Sequence, residues 1–137
     1  MAMFRVIGRA QSFTQDEQAQ LNLPVRLAYE SLLKGQGTAE DFHTLAAAVN
    51  VAMVCAERID PLVEQACIAG RDALMRVFER HGRLARWGFD GQGMQEVIRA
   101  VEVYEQLTGL LTAGQLEDAL KECHQRMRAG DVMELGQ

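Results

Sequence analysis

The side chains best suited to chemistry in this sequence form a run of arginines and aromatic residues between positions 76 and 89. Arg76, Arg80 and Arg83 recur at i, i+4 and i+7, which places them on one face of a helix. Arg86 and Trp87 follow directly, and a second aromatic residue stands two positions further on. Guanidinium groups bind phosphates and aromatic rings stack on bases, while arginine and tryptophan are also enriched in protein interfaces. The five residues therefore predict a partner-binding site, with nucleic acid as the alternative to protein.

The same arginines have an internal use that competes with this interpretation. They can pair with Glu79 or with the acidic residues of the next helix, at positions 96, 102 and 105. Residues 71–86 carry five arginines against two acids, a net charge of +3, in a chain whose net charge is −5. That is a small electrostatic footprint for an unaided DNA-binding protein. Trp87 likewise has two interpretations, either as an exposed contact residue or as a lid that folds back over the core.

Metal and nucleophile chemistry receive little support from the sequence. Glu40 and His43 have the Glu-x-x-His spacing of carboxylate-bridged di-iron bundles, but such a site needs a second copy of the motif. Neither His81 nor His124 has a glutamate three positions before it. Cys123 precedes His124 directly, so the two side chains diverge by about 100° on a helix and cannot form an aligned pair. The sequence predicts no catalytic residue, no metal and no cofactor.

Asn50 is the one polar residue in the apolar stretch from Leu45 to Ala56. A buried amide must find hydrogen-bond partners, because leaving it unsatisfied costs about 1–3 kcal/mol. It either bonds to a neighbouring backbone group or a water, or it fixes the register at a helix–helix or subunit interface.

The elements that position these residues are all helical. Eleven of the twelve residues from Leu45 to Ala56 are apolar, and a helix that is apolar on every side must be enclosed by neighbours. No strand-length alternation is present, so the sequence predicts an all-α, single-domain bundle of about five helices around this buried central helix, about 38–58. The expected domain limits are an extended N-terminal arm at 1–13, the bundle at 14–130 and a flexible tail at 131–137.

Capping residues mark where the helices begin. The predicted starts are Thr14 with Glu17, Thr38, Asp60 with Pro61, Asp90, and Thr112 with Gln115. Pro24 predicts a break or kink near Leu23, with Asn22 as the next cap. The third helix is expected to point Leu62, Ala66, Cys67, Ala73, Leu74, Val77 and Phe78 inward, and the fifth Leu116, Ala119, Leu120, Cys123 and Met127.

Composition favours a cytoplasmic protein. The three cysteines form no Cys-x-x-Cys pair and are odd in number, which is typical of reduced core residues. No signal peptide is evident, and no segment has the ~18–20 consecutive apolar residues that span a bilayer.

Three segments, at 5–18, 41–50 and 86–91, together resemble a set of small uncharacterised bacterial proteins, some of them associated with mobile elements. The resemblance implies an all-helical bacterial protein and brings no activity with it.

The apolar faces exceed what a small monomer easily hides. The leading interpretation is therefore a non-enzymatic helical protein that binds another, unidentified protein and forms a homodimer. A nucleic-acid-associated regulator that uses Arg76 to Phe89 is the alternative, and an enzyme is third.

Overall fold

The computed structural model describes residues 8–129, with side chains through residue 127, and contains five helices in that part of the chain. Their bounds are Gln15–Leu33 (α1), Ala39–Ala56 (α2), Pro61–Leu84 (α3), Gly91–Leu110 (α4) and Ala113–Ala129 (α5). Outside the helices, the described residues form only two isolated β-bridges, Ser12 with Thr112 and Gly37 with Trp87. The predicted all-α bundle is confirmed.

Helix α2 lies at the centre and packs against each of the other four helices. Leu45, Val49 and Ala52 are completely buried, as the apolar composition on every side of the helix predicts. Each large apolar side chain enclosed in this way stabilises the fold by roughly 1.5–3 kcal/mol. The prediction of a buried central helix is confirmed.

The helix starts agree with the capping pattern in the sequence. At α2, Thr38 Oγ1 accepts a hydrogen bond from the backbone N–H of Asp41, and the Asp41 carboxylate accepts one from the N–H of Thr38. The remaining caps are Thr14 with Glu17, Asp60 before Pro61, Asp90, and Thr112 with Gln115. These bonds satisfy N–H groups that have no partner inside the helix, which is why short polar residues at these positions predict the boundaries well.

The predicted break at Pro24 is wrong, because α1 continues through the proline. A proline inside a helix loses one backbone hydrogen bond and crowds the preceding turn, at a cost of about 3 kcal/mol. Tertiary packing on both sides offsets this cost. After the proline Val25 is buried, and before it Asn22 Oδ1 accepts a hydrogen bond of 3.0 Å from Thr108 of α4. Asn22 is therefore part of a contact between helices and does not cap a new one.

The inner face of α3 is narrower than the sequence predicts. Leu62 is 75% exposed and Phe78 is 46% exposed, although both were expected to point inward. The buried line instead runs through Cys67, Gly70, Ala73, Leu74 and Val77. Small residues on this line let α4 approach closely, so the flanking large side chains fall outside the contact. In α5, Ala119 and Cys123 are buried as expected, whereas Leu120 stays largely exposed.

Gly70 lies where α3 and α4 pack closely against each other. A Cβ atom built at this position would lie 2.6 Å from the Cβ of Ala100 and 3.2 Å from the carbonyl oxygen of Glu96. Only a residue without a side chain fits this crossing, so the glycine sets the separation of the two helices.

The described part of the N-terminal arm lies against α5. Arg9 donates to both carboxylate oxygens of Asp118 at 2.9 Å, and the N–H of Ala113 donates to the carbonyl of Gln11. The rest of the predicted arm, residues 1–7, and the predicted tail at 131–137 lie outside the described residues. No helix in the described chain is long and apolar enough to cross a membrane.

Candidate functional site

Arg76, the first of the sequence-predicted binding residues, is engaged inside the chain. Its guanidinium donates to Asp90 Oδ2 at 3.1 Å and to Glu96 Oε1 at 2.7 Å. These hydrogen bonds, that to Glu96 first, raise the pKa of Arg76. The bond from Arg76, followed by one from the backbone N–H of Gly93, lowers the pKa of Asp90. Arg76 thus holds the cap of α4 in place, as the internal-pairing alternative predicts.

The other three arginines differ in whether their guanidinium groups are already bonded within the chain. Arg80 donates to the backbone carbonyl of Phe89 at 3.2 Å and so closes the loop between α3 and α4. Arg83 and Arg86 are exposed, and neither forms an ion pair with an acid of residues 8–127. Of the four arginines, these two are exposed without an acidic partner among the described side chains.

Trp87 packs into an aromatic cluster with Phe42, Phe78 and His81. Its ring stacks on His81 with centroids 3.8 Å apart at 9°, and on Phe42 at 4.9 Å and 27°. The side chain is half-buried and lies against the hydrophobic core. The structure thus places Trp87 as the lid alternative describes, joined to the loop before α2 through the bridge with Gly37.

The surroundings of Gly37 show how closely Trp87 packs against the loop before α2. A Cβ atom there would lie 2.6 Å from Cδ1 of Leu32 and 3.2 Å from the Cβ of Trp87. The sequence gives no signal for this contact, because it joins the loop after α1 to the loop after α3.

Asn50 is 1% exposed in the single chain. It lies on α2, which is surrounded by α1, α3, α4 and α5, so this chain's own helices already enclose the amide. Asn50 was predicted to fix the register of a helix–helix or a subunit interface. Its placement agrees with an interface between helices of one chain.

The cysteines are free thiols on three different helices. Burial raises the pKa of Cys67 to about 12 and that of Cys123 to about 11, and it raises the pKa of the half-buried Cys55. All three are therefore protonated near neutral pH, and a protonated thiol is a poor nucleophile. Among the described side chains, no group of three or more histidines, cysteines or acids is arranged to hold a metal ion.

Replacing Cys67 by alanine is expected to make the free energy of unfolding less sensitive to alkaline pH. In the unfolded chain the thiol loses its proton near the ordinary pKa of 9.0, whereas the folded thiol keeps it until about pH 12. The contribution of this group is complete below pH 9.0 and is lost as the pH rises toward 12, because the folded state then binds the proton that the unfolded state has released. Urea unfolding of both proteins across this range measures the difference, and equal pH dependence would contradict it.

The outer face of α1 carries the exposed leucines that the sequence analysis missed. Leu23 and Leu27 are each 57% exposed and lie one helical turn apart, on the side opposite to the buried Val25 and Leu32. The signal was present as a four-residue spacing of leucines. It was hidden by the break predicted at Pro24, which would have divided the face between two elements.

Two open depressions are lined by residues of the described part of the chain. One, of about 490 Å³, lies between the end of α2 and α5 and is lined partly by Cys55, Arg58 and Ile59. The other, of about 350 Å³, lies between α3 and α4 beside the exposed Leu62.

No family model, curated protein or solved structure matches the chain. The resemblance to small helical bacterial proteins stays a prediction.

Proposed function

We propose that this protein acts as a non-enzymatic helical binding protein whose first partner is a second copy of itself. The observation that carries the proposal is the outer face of α1, where Leu23 and Leu27 are each 57% exposed on adjacent helical turns. Single exposed leucines are common, but two on adjacent turns of one outward face form a surface that a partner helix can cover. The free thiols support a cytoplasmic setting.

The internal engagement of the other candidate groups supports the same proposal. Arg76, Arg80 and Trp87 already contribute to loop closure and core packing. Using them to bind a partner would expose groups that now satisfy each other. Leu23 and Leu27 have no comparable role in loop closure or core packing.

Sedimentation velocity over a concentration series tests the proposal. We expect the weight-average mass to rise from the monomer value of 15.2 kDa toward twice that value as concentration increases. Affinity capture from lysate, after nuclease treatment, then looks for a further protein partner. A mass of 15.2 kDa at every concentration would contradict self-association.

A second candidate function is nucleic-acid binding, which the exposure of Arg83 and Arg86 favours. Both are free of acidic partners among residues 8–127 and lie beside the aromatic cluster. We expect a labelled single-stranded oligonucleotide to bind only at low salt, because a footprint of two arginines releases few counterions. Fluorescence anisotropy with the Arg83→Gln, Arg86→Gln double variant checks the assignment, and unchanged affinity in that variant would remove it.

A further inference from the structure

The outer face of α1 has the spacing of a coiled-coil seam. On the side of α1 that carries the exposed leucines, six residues, four of them exposed and two half-buried, alternate by four and three positions, as the core positions of a heptad repeat do. They are Asp16, Gln20, Leu23, Leu27, Glu30 and Lys34. Lys34 belongs to the series because its backbone, as the C-cap of α1, keeps right-handed helical angles. The two leucines occupy the middle, and residues of opposite charge occupy the two ends.

We propose that α1 of one chain packs against α1 of a second copy in antiparallel orientation, about a two-fold axis at the level of Val25. This rests on the homodimer proposed above and assigns its interface. In such a pair, residue i lies opposite the residue whose number is 50 minus i. Leu23 then lies opposite Leu27 of the second copy, twice by symmetry, and forms an apolar centre.

Charge complementarity sets the orientation. The same two-fold axis brings Asp16 opposite Lys34 of the second copy at both ends of the pair. Both residues are exposed, and neither forms an ion pair within residues 8–127. A parallel pair would instead place Asp16 opposite Asp16 and Lys34 opposite Lys34, which is repulsive at both ends. The antiparallel pair is therefore the one that the charges favour.

The remaining positions agree with this arrangement. Glu30 lies opposite the uncharged Gln20, so no two like charges face each other along the seam. Asp16 and Lys34 are separated by about 27 Å along the helix at 1.5 Å per residue. At a crossing angle of about 20°, the helix ends stay close enough for the lysine side chain to reach the carboxylate.

The size of this surface predicts a weak dimer. One helix face from each chain buries less than the roughly 1,200–2,000 Å² typical of stable complexes, so we expect dissociation in the micromolar range or above. Sedimentation velocity must therefore extend to high micromolar protein concentration.

Leu23→Glu tests the apolar centre, with Leu62→Glu as the matched control. Both changes place a glutamate on an exposed helical position, but Leu62 lies on α3, away from the seam. We expect Leu23→Glu to raise the dimer dissociation constant about tenfold or more, because symmetry counts the change twice, and Leu62→Glu to change it less than about twofold. Thermal unfolding of both variants checks that the fold is retained.

Exchange of the end charges tests the orientation. Asp16→Lys alone and Lys34→Asp alone each place like charges at both ends of their own homodimer, so each variant is expected to dimerise less than wild type. An equimolar mixture of the two pairs an acid with a base at both ends, so we expect it to recover wild-type association. Recovery in the mixture cannot come from a general effect of either change on stability.

The outcomes separate the interface from the homodimer itself. A wild-type protein that dimerises while Leu23→Glu has no effect, or while Leu62→Glu weakens the dimer equally, overturns the α1 interface and leaves self-association standing. Failure of the charge variants to recover on mixing overturns the antiparallel register. A wild-type protein that is monomeric at every concentration overturns both proposals.

Discussion

Replacing Phe42 by alanine is expected to lower the free energy of unfolding by about 3–5 kcal/mol, the largest effect we expect from a single substitution. Phe42 is 1% exposed and lies in the first turn of the central helix. Its ring is in contact with the rings of Trp87 and Phe78, at centroid distances of 4.9 and 5.8 Å. Truncation would remove apolar contact from three elements at once. Urea unfolding followed by circular dichroism measures the change.

Trp87→Ala should then cost roughly 2–3 kcal/mol, less than a fully buried tryptophan would, because the side chain is half-buried. In a double-mutant cycle, the combined loss should fall short of the sum of the single losses by about 0.5–1.5 kcal/mol, since each substitution removes the same ring contact. The tryptophan emission of Phe42→Ala should also shift to the red. Leu84→Ala, on an exposed residue near the end of α3, is the control and should change little.

A different result would restore the other interpretation of Trp87. If Trp87→Ala leaves the free energy of unfolding within about 0.5 kcal/mol of wild type, the tryptophan does not hold the two loops on the core. It would then be available for a partner, together with Arg83 and Arg86.

The second large effect is expected at the crossing of α3 and α4. Gly70→Ala should lower the free energy of unfolding by about 1–3 kcal/mol, because the new methyl group would overlap Ala100 and force the two helices apart. This loss outweighs the gain of up to about 1 kcal/mol that alanine brings over glycine inside a helix. Thermal and urea unfolding both report the change.

Two further variants separate the packing effect from the helix effect. Gly82 lies on the exposed side of the same helix, with no atom within 4 Å of a Cβ built there, so Gly82→Ala should stabilise the protein by about 0.5–1 kcal/mol. Ala100→Gly removes the methyl group that Gly70→Ala would meet. The double variant Gly70→Ala, Ala100→Gly should therefore recover part of the loss. A stabilising effect of Gly70→Ala alone would contradict this prediction, because it would show that α3 and α4 leave space for a methyl group where they cross.

Local features of the fold could be predicted from the sequence because their causes are local. A threonine three positions before an acid satisfies the first N–H groups of a helix wherever it occurs, so Thr14 and Thr38 mark helix starts without knowledge of the tertiary structure. The burial of α2 follows in the same way from its own composition.

Features that depend on distant partners could not be predicted. Pro24 is tolerated because α1 is bonded to Thr108 before the proline and packs in the core after it. No local sequence pattern indicates these tertiary contacts. Trp87 lies in a loop, and the sequence around it does not reveal that its ring stacks on Phe42 of α2 and His81 of α3. The exposed leucine face of α1 was not predicted for a related reason, because Leu23 and Leu27 share a face only if α1 is one continuous helix.

The order in which the helices pack has a consequence for folding kinetics. Helices α1 and α2, α2 and α3, and α3 and α4 are neighbours both along the chain and in space, so most of the bundle forms through contacts of short sequence separation. Chains with such low contact order fold in microseconds to milliseconds. The exceptions are the contacts of α2 with α4, of α2 with α5 and of α1 with α4. In the last of these, Arg26 pairs with Glu105 and Tyr29 donates to the carbonyl of Met94. Closing loops of this length carries a large entropic cost, so these contacts between distant helices are expected to form late and to limit the folding rate.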